Sequence, residues 1–466
     1  MMLETEVVVV GAGPAGLSAA LQASLAGATV TVVDEYARPG GQYFKQPPAA
    51  FKLLDRSAMG RNYQVGVDLM TQVEHGKIEV LSDTLVWGAF EPGILEIYRD
   101  GECQRIRAER MVLATGAYDR PIAFPGWTLP GVITAGAAQT LLKNQWVVPG
   151  SRVLMAGSGP FQLPVAAQLI KAGATVVTLL EAGKVGNWLT RVPAVWRHLD
   201  KVNEAKDYLA ALLKARVDTR FGWTVVEARG DGQVEQAVIA HLDDNWKPVP
   251  GTEQILDVDT ICLGFGFIPS LQLPRLLGCK SRWDADLSAW VTEHDADQRT
   301  SVAGVFVAGE TTGIGGHDVA MGEGAVAGVM AAVDLGKLSA SAAEKMLLKT
   351  RSELKNQREF ADFLNRTFTI RPGIYEMIRD DTILCRCEEV TAGEVAASAQ
   401  EWNGSLRTIK QLTRAGMGNC QGRICASLVA QIAARASGKS VEEIGLDTPR
   451  PPIKPIPLEA LAGIPG

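Results

Sequence analysis

The chain has 466 residues, 47% of them hydrophobic and 21% charged, with a net charge of −6 at neutral pH. That balance excludes nucleic acid as a partner class, because no basic surplus exists to neutralise phosphates. No apolar run approaches the roughly 18 residues of a membrane span, and the length allows two or three packed domains.

The N-terminus, Met-Met-Leu-Glu-Thr-Glu, is acidic and lacks the basic start of a signal peptide. The first apolar run therefore reads as a strand over 5–10, and the default compartment is the cytoplasm, with peripheral contact at the inner membrane through a partner left open. Gly11-Ala12-Gly13-Pro14-Ala15-Gly16 follows and opens a helical run over 17–26; a second strand over 29–33 ends at Asp34. Strand, glycine turn, helix, strand and acid stand in the order of a dinucleotide fold. Gly11 permits the tight turn, Gly13 lets backbone approach a pyrophosphate, and Gly16 lets the helix pack close to the strand. With Pro14 and Ala15 they surround a helix N-terminus, where free N–H groups favour phosphate. Asp34, 23 residues beyond Gly11, is placed to accept from ribose hydroxyls, with Glu35 beside it. Gly40-Gly41-Gln42 would bring more amides to the pyrophosphate or the flavin. Met111 to Gly116 reads as a strand whose end, Ala114-Thr115-Gly116, closes this segment.

A second turn, Gly157-Ser158-Gly159-Pro160-Phe161-Gln162, follows the strand 153–156 and precedes a helix to about 173. The next strand closes on Glu181, 24 residues past Gly157. Here Gln162 stands where the third glycine belongs, and Pro164 sits in the early helix. A side chain at 162 would push the helix off the strand or project toward the phosphates. Two readings stay open: an NAD(H) site with Glu181 on the ribose, or a retained fold that binds nicotinamide poorly or holds another nucleotide. Ile261 to Gly266 closes this fold. Residues 302–310 then read as a strand ending in Gly309-Glu310. Two-dinucleotide flavoproteins carry such a strand, usually ending in Gly-Asp with the acid on the ribitol chain, so FAD is the expected cofactor. Gly315-Gly316 opens a further helix whose N-terminus can face the isoalloxazine or the phosphates.

Four of the seven cysteines form the pattern Cys385-x-Cys387, 32 intervening residues, Cys420-x4-Cys425. Two close thiolate pairs suit a [2Fe-2S] cluster or tetrahedral zinc, and the C-x-C spacing leans toward iron–sulfur. Gly416, Gly418 and Gly422 free the backbone to bring N–H donors to the sulfurs, and Arg386, Arg414 and Arg423 can offset the cluster's charge. Cys103, Cys262 and Cys279 are scattered, and no C-x-x-C marks dithiol catalysis. His75, His198, His241, His294 and His317 have no metal spacing. His317 follows Gly315-Gly316 and so stands near the expected flavin, although a packed or solvated ring is the better expectation. No acid–base pair or nucleophile marks a substrate pocket, so catalytic residues stay unassigned. The Pro-rich tail favours extended conformation; it is open to two readings, a disordered end or a strap lying on a partner chain.

The expected architecture is α/β: a two-dinucleotide-binding-domain flavoprotein, a Rossmann-like FAD domain (1–144 and 261–335) with an inserted NAD-type domain (145–260). A helical connector (336–380), a small helical [2Fe-2S] domain (381–440) and the tail (441–466) complete it. Two stretches carry a more specific likeness: Pro125 to Val132 with Ala135 to Gln139, and Thr413 to Gly418 running into Cys420-Gln421-Gly422-Arg423. By itself the Trp127 loop reads as a packed turn with no assignable chemistry. With these stretches the chain resembles the FAD-binding alpha subunits of bacterial heteromeric amine, opine and amino-acid dehydrogenases, over nearly its whole length. Its cysteine region is similar to bacterioferritin-associated ferredoxin. The resemblance implies an FAD-dependent beta subunit of D-amino-acid-oxidase type that oxidises the substrate, while this chain takes the electrons to an external acceptor. It leaves room for a small third subunit, for FMN at a subunit interface, and for a second nucleotide in the degenerate NAD-type site. The alternative is a self-sufficient NAD(P)H-dependent flavin/iron–sulfur reductase, and a third reading is a scaffold whose nucleotide sites do not redox-cycle.

Overall fold

The structure is a computed structural model that describes residues 2–48, 50–51, 61–76, 78–184 and 199–463; His198 lies outside them. The chain forms two compact units, Met1–Ala117 with Ile268–Asp362 and Pro449–Gly466, and Tyr118–Phe267 with Phe363–Thr448.

In the first unit, β-branched runs at Val7–Val10 and Val30–Val33 are buried on both faces, as parallel strands covered by helices must be. The sheet runs in the order Ile78–Leu81, Val30–Val33, Met2–Val10, Glu102–Leu113, Ile94–Arg99 and Leu85–Glu91. The first four strands are parallel and the last two turn antiparallel. Val305–Val307 joins in parallel beside the end of Glu102–Leu113. Register pairs Val10 with both Val33 and Leu113, and Leu113 with Val307. Four strands therefore end along one edge, where open α/β sheets bind their ligands. Helices Pro14–Leu25 and Gly316–Asp334 lie against each other so closely that a Cβ on Gly324 would stand 2.0 Å from the Ala15 carbonyl oxygen. A Cβ on Gly328 would stand 2.1 Å from the Ala19 carbonyl oxygen. The long helix Ala340–Thr367 contributes Ala343 and Leu347 to the same core.

The last part of the tail, Pro449–Gly466, groups with the first unit. It lies on its own first unit: Ile453 enters the core with Val8, Leu95 and Ile106, and its N–H donates to the Trp87 carbonyl at 2.8 Å. Ala460, in the short helix Leu458–Ala462, is also buried.

The second unit holds a parallel sheet in the order Asp218–Phe221, Thr175–Glu181, Arg152–Gly157, Thr260–Gly264, Val132–Thr134. An antiparallel sheet of Trp223–Arg229, Gln236–His241 and Gln254–Asp257 accompanies it. The cysteine region adds the hairpin Ile383–Cys385 with Val390–Thr391 and three helices, Ala392–Glu401, Leu406–Thr413 and Ala426–Ser437. Thr391 and Glu394 form a reciprocal capping box that starts the first of these. One apolar core runs through nucleotide fold and cysteine region alike, joining Phe124, Trp127, Ile239 and Phe265 to Leu384, Val395, Leu428 and Ile432. Among the described residues, no helix is long and apolar enough to cross a membrane.

Candidate functional site

The first glycine turn, the second-strand acid and the late strand converge in the first unit. Gly16 cannot carry a side chain: a Cβ there would lie 1.7 Å from the Gly11 carbonyl oxygen. Gly41, at φ +59°, comes so near Gly13 that a Cβ would stand 2.7 Å from the Gly13 Cα. The Gly40 N–H donates to the Ala12 carbonyl at 2.8 Å, which ties the two glycine segments together. Gly13 caps the helix Pro14–Leu25 without any side-chain hydrogen bond, and no acid occupies its first turn, so its first N–H groups stay open to a phosphate. Ala114, Thr115 and Gly116 follow the end of Glu102–Leu113; the Thr115 hydroxyl donates to the Ser270 carbonyl at 2.8 Å and lies 3.2 Å from that of Thr311. Gln42 turns away to the Tyr36 hydroxyl, 2.9 Å distant.

Asp34 is buried, and its carboxylate accepts the Ala12 and Tyr36 N–H groups. Burial raises its pKa against the pull of these two donors. It thus braces the glycine turn while keeping further lone pairs for a ribose. Glu35, next along, is ion-paired with Lys454.

Glu310, one methylene longer than the usual Asp, is half-buried. Its Oε1 accepts the Gly316 N–H at 2.9 Å and so caps the helix Gly316–Asp334, while its Oε2 is enclosed with no hydrogen-bond partner among the described residues. Burial raises its carboxyl to about 7. An enclosed acceptor without a partner at the sheet's ligand edge is what a hydroxyl-bearing cofactor chain would satisfy. Beneath it sits Glu323, a residue the sequence reading passed over. Its carboxylate accepts the Gly309 N–H at 2.9 Å and the Thr312 hydroxyl at 2.8 Å, and pairs with Arg358. The signal available in the sequence was an acid in the middle of an otherwise Gly/Ala/Val helix. His317 is packed, its ring stacked on Tyr43 at 4.1 Å between centroids. These features fit a dinucleotide with a flavin: glycine-lined backbone at the phosphates, an acid at the second strand and an unpartnered acceptor at the last.

In the second unit the degenerate turn keeps its brace. Glu181 accepts the Gly159 N–H at 3.0 Å and the Gly183 N–H at 2.8 Å. Gln162 neither splays the helix nor reaches out. It is buried against Gly264, whose Cβ would stand 3.0 Å from the Gln162 Cγ, so the missing glycine has been moved to the neighbouring strand. Phe368 stands beside Gly159, 3.7 Å from the place a Cβ would take, on the residue that must admit a pyrophosphate.

The four C-terminal cysteines come together in two pairs. The Cys385 and Cys425 thiols are within hydrogen-bonding reach of each other, and so are Cys387 and Cys420. The Cys425 thiol, with the N–H groups of Gly416, Glu388 and Cys387, holds the Cys385 thiol down to about 5, despite its burial. A Cβ on Gly418 would fall 2.2 Å from the Cys387 Cβ, so glycine there lets the two segments close. Among the described residues, no three His, Cys, Asp or Glu side chains converge on a point suited to one metal ion. Four thiols in two pairs are the donor set that a [2Fe-2S] cluster takes. Of the three arginines expected to offset cluster charge, Arg414 is taken up by Glu388 at 2.7 Å. Arg386 lies over the Trp127 ring at 5.5 Å and donates to the Thr128 carbonyl. Arg423 remains beside Cys420, donating to its carbonyl at 3.2 Å. Trp127 is more than a packed turn: its Nε1 donates at 2.6 Å to the carbonyl of Ile383, the start of the strand that carries Cys385. The other cysteines do not join this group, and burial raises the pKa of both Cys262 and Cys279.

Residues 5–332 match the family described as pyridine nucleotide-disulphide oxidoreductase, and residues 381–464 the sarcosine oxidase A3 domain. The chain is 32% identical over 473 residues to an opine oxidase subunit of Rhizobium meliloti, covering 99% of this chain and 88% of that protein. It is 30% identical over 460 residues to hydrogen cyanide synthase subunit HcnB of Pseudomonas aeruginosa, covering 98% of each. Among solved structures, L-proline dehydrogenase from P. horikoshii shares the fold with a TM-score of 0.70 at 21% identity, over 99% of this chain and 80% of that one. The chain therefore belongs to the pyridine nucleotide-disulphide oxidoreductase family of flavoproteins, in the branch that holds these opine oxidase and hydrogen cyanide synthase subunits.

Proposed function

We propose that this chain is the FAD- and [2Fe-2S]-carrying electron-transfer subunit of a heteromeric dehydrogenase that oxidises a C–N bond of an amino acid, opine or related secondary amine. Substrate oxidation belongs, in this reading, to an FAD-dependent beta subunit of D-amino-acid-oxidase type, and electrons leave this chain for an external acceptor. The observation that carries the proposal is the pairing of four thiols on a flavoprotein chain, Cys385 with Cys425 and Cys387 with Cys420. The relatives' names, which make each of them one subunit of a larger enzyme, support a partner chain.

In this reading Gly11 to Gly16, Gly41 and the N-terminus of Pro14–Leu25 hold the pyrophosphate of FAD, Asp34 the ribose, and Glu310 the ribitol chain. The four cysteines ligate the cluster. Bound FAD would supply two-electron redox chemistry and the cluster one-electron transfer. The chain's own residues position these groups: Glu323 and Arg358 fix the Gly309–Thr312 turn, Trp127 fixes the Cys385 strand, and the Gly416, Glu388 and Cys387 N–H groups stabilise thiolate at Cys385.

A self-sufficient NAD(P)H-dependent reductase is the competing reading. Phe368 beside Gly159 and Gln162 in place of the third glycine weigh against it. The test is anaerobic mixing of the purified, FAD-loaded chain with NADH or NADPH, beside the chain with its co-purified partner and candidate amines. The proposal expects flavin bleaching only with partner and amine. Rapid bleaching of the chain alone by either nicotinamide would overturn it.

A further inference from the structure

The C-terminal segment is held on the first unit by three separate devices. Ile453, 6% exposed, is sunk in an apolar core, and its N–H is bonded to the Trp87 carbonyl at 2.8 Å. Pro451 packs on Gly88, where a Cβ would meet its own at 3.5 Å. Lys454 is paired with Glu35, with only 28% of its side chain exposed. The strand that carries Trp87 starts beside Asp34, whose carbonyl accepts the Thr84 N–H at 2.9 Å. Lys454 therefore stands between two carboxylates at the end of the second strand, Glu35 by contact and Asp34 by its field. In a dinucleotide fold this is the ribose end of the adenosine half.

A lysine buried to this degree needs a reason to be there. Burial lowers its pKa, and the proximity of Asp34 offsets this. A single surface ion pair contributes little to stability, whereas an ammonium group has three donors and Glu35 uses only part of that capacity.

We infer that the C-terminal segment is a clasp on the adenosine diphosphate half of the cofactor site, and that Lys454 is its binding residue, donating to ribose or diphosphate oxygens. The inference rests on the FAD reading above and adds a ligand contact from the last residues of the chain.

The experiment uses full-length protein stripped of FAD and titrated with FAD and, separately, with ADP as a competitor. K454M should weaken both FAD and ADP about tenfold, the loss of one charge-assisted hydrogen bond. K454R, which keeps charge and donors, should stay within about threefold of wild type. ADP carries only the adenosine diphosphate half, so a loss confined to FAD would place the effect elsewhere and refute the clasp. If K454M binds both ligands as wild type does, the clasp is refuted and the FAD reading stands, because wild type binds FAD in the same titration. If K454R loses affinity as K454M does, the effect is packing and Lys454 is not a ligand residue. A wild-type chain that takes up no FAD would overturn both.

Discussion

Glu323→Ala gives the most demanding check on how the flavin end of the site is held. Glu323 is 1% exposed; one oxygen accepts the Gly309 N–H at 2.9 Å and the Thr312 hydroxyl at 2.8 Å, and the other pairs with Arg358. Truncation strips the acceptor from the buried Gly309 N–H and leaves a void, about 1–3 kcal/mol for the unsatisfied donor with a similar amount for lost packing. Thr312 is rescued in part, because Arg358 also reaches its hydroxyl oxygen at 2.6 Å. The ion pair adds about 1 kcal/mol or less, since the Arg358 side chain is 24% exposed and screened. The sum is ~2–7 kcal/mol, or roughly 10 °C or more in melting temperature at about 2–4 °C per kcal/mol for a unit of this size. Glu323→Gln keeps one carbonyl oxygen for Gly309 and should lose ~1–2 kcal/mol. Thermal unfolding followed by circular dichroism reads stability, and the rise of free-flavin fluorescence reads release from the Gly309–Thr312 turn. The reasoning is refuted if Glu323→Ala melts with wild type, or if Ala and Gln variants are equally impaired.

Three further outcomes follow from the same structure. The Glu310 carboxyl is held neutral to about 7 by burial, whereas an unperturbed one ionises near 4.5, so the unfolded chain loses this proton first as pH rises. Its contribution to the stability of the FAD-free chain should therefore be present at acid pH and be lost through the 4.5 to 7 window, by at most ~1.4 kcal/mol per pH unit; the difference between wild-type and Glu310→Gln urea midpoints should carry this slope, and a pH-independent difference would refute it. Trp127→Phe leaves the Ile383 carbonyl without its donor; it should cost about 1–2 kcal/mol and shift the electron paramagnetic resonance signal of the reduced chain, and an unaltered signal would separate Trp127 from the cysteines. Gly16→Ala forces a Cβ to 1.7 Å from the Gly11 carbonyl oxygen, so FAD uptake should be lost in an equilibrium titration while the cysteine-bearing region keeps its absorbance.

The first glycine turn was legible because each of its positions answers to a local steric demand. Gly16 meets Gly11 five residues away, and a pattern of that length is visible in a string. The cysteine pairs were legible for a related reason, since thiols in two close pairs have few other uses. What the sequence did not yield depends on contacts between distant segments. Gln162 reads as damage in its own turn, and only the fold reveals Gly264 making room for it from the neighbouring strand. Glu323 looks like a stray acid until Gly309, Thr312 and Arg358 are seen around it. Trp127 and Ile383 lie 256 positions apart, so the loop's hold on the cysteine strand has no local signature. The destination of the tail was not legible either. Its prolines indicate extension but not destination, and it is Ile453 and Lys454 that direct it onto the chain's own first unit.

The central claim is that one chain carries a flavin and a binuclear cluster. It is tested most directly by measuring FAD, iron, acid-labile sulfide and zinc in the anaerobically purified chain, wild type beside Cys387→Ser. The account predicts about one FAD, two irons and two sulfides per wild-type chain, with iron and sulfide lost together in the variant and FAD retained. A single zinc per chain without sulfide, or iron content unmoved by Cys387→Ser, would contradict it.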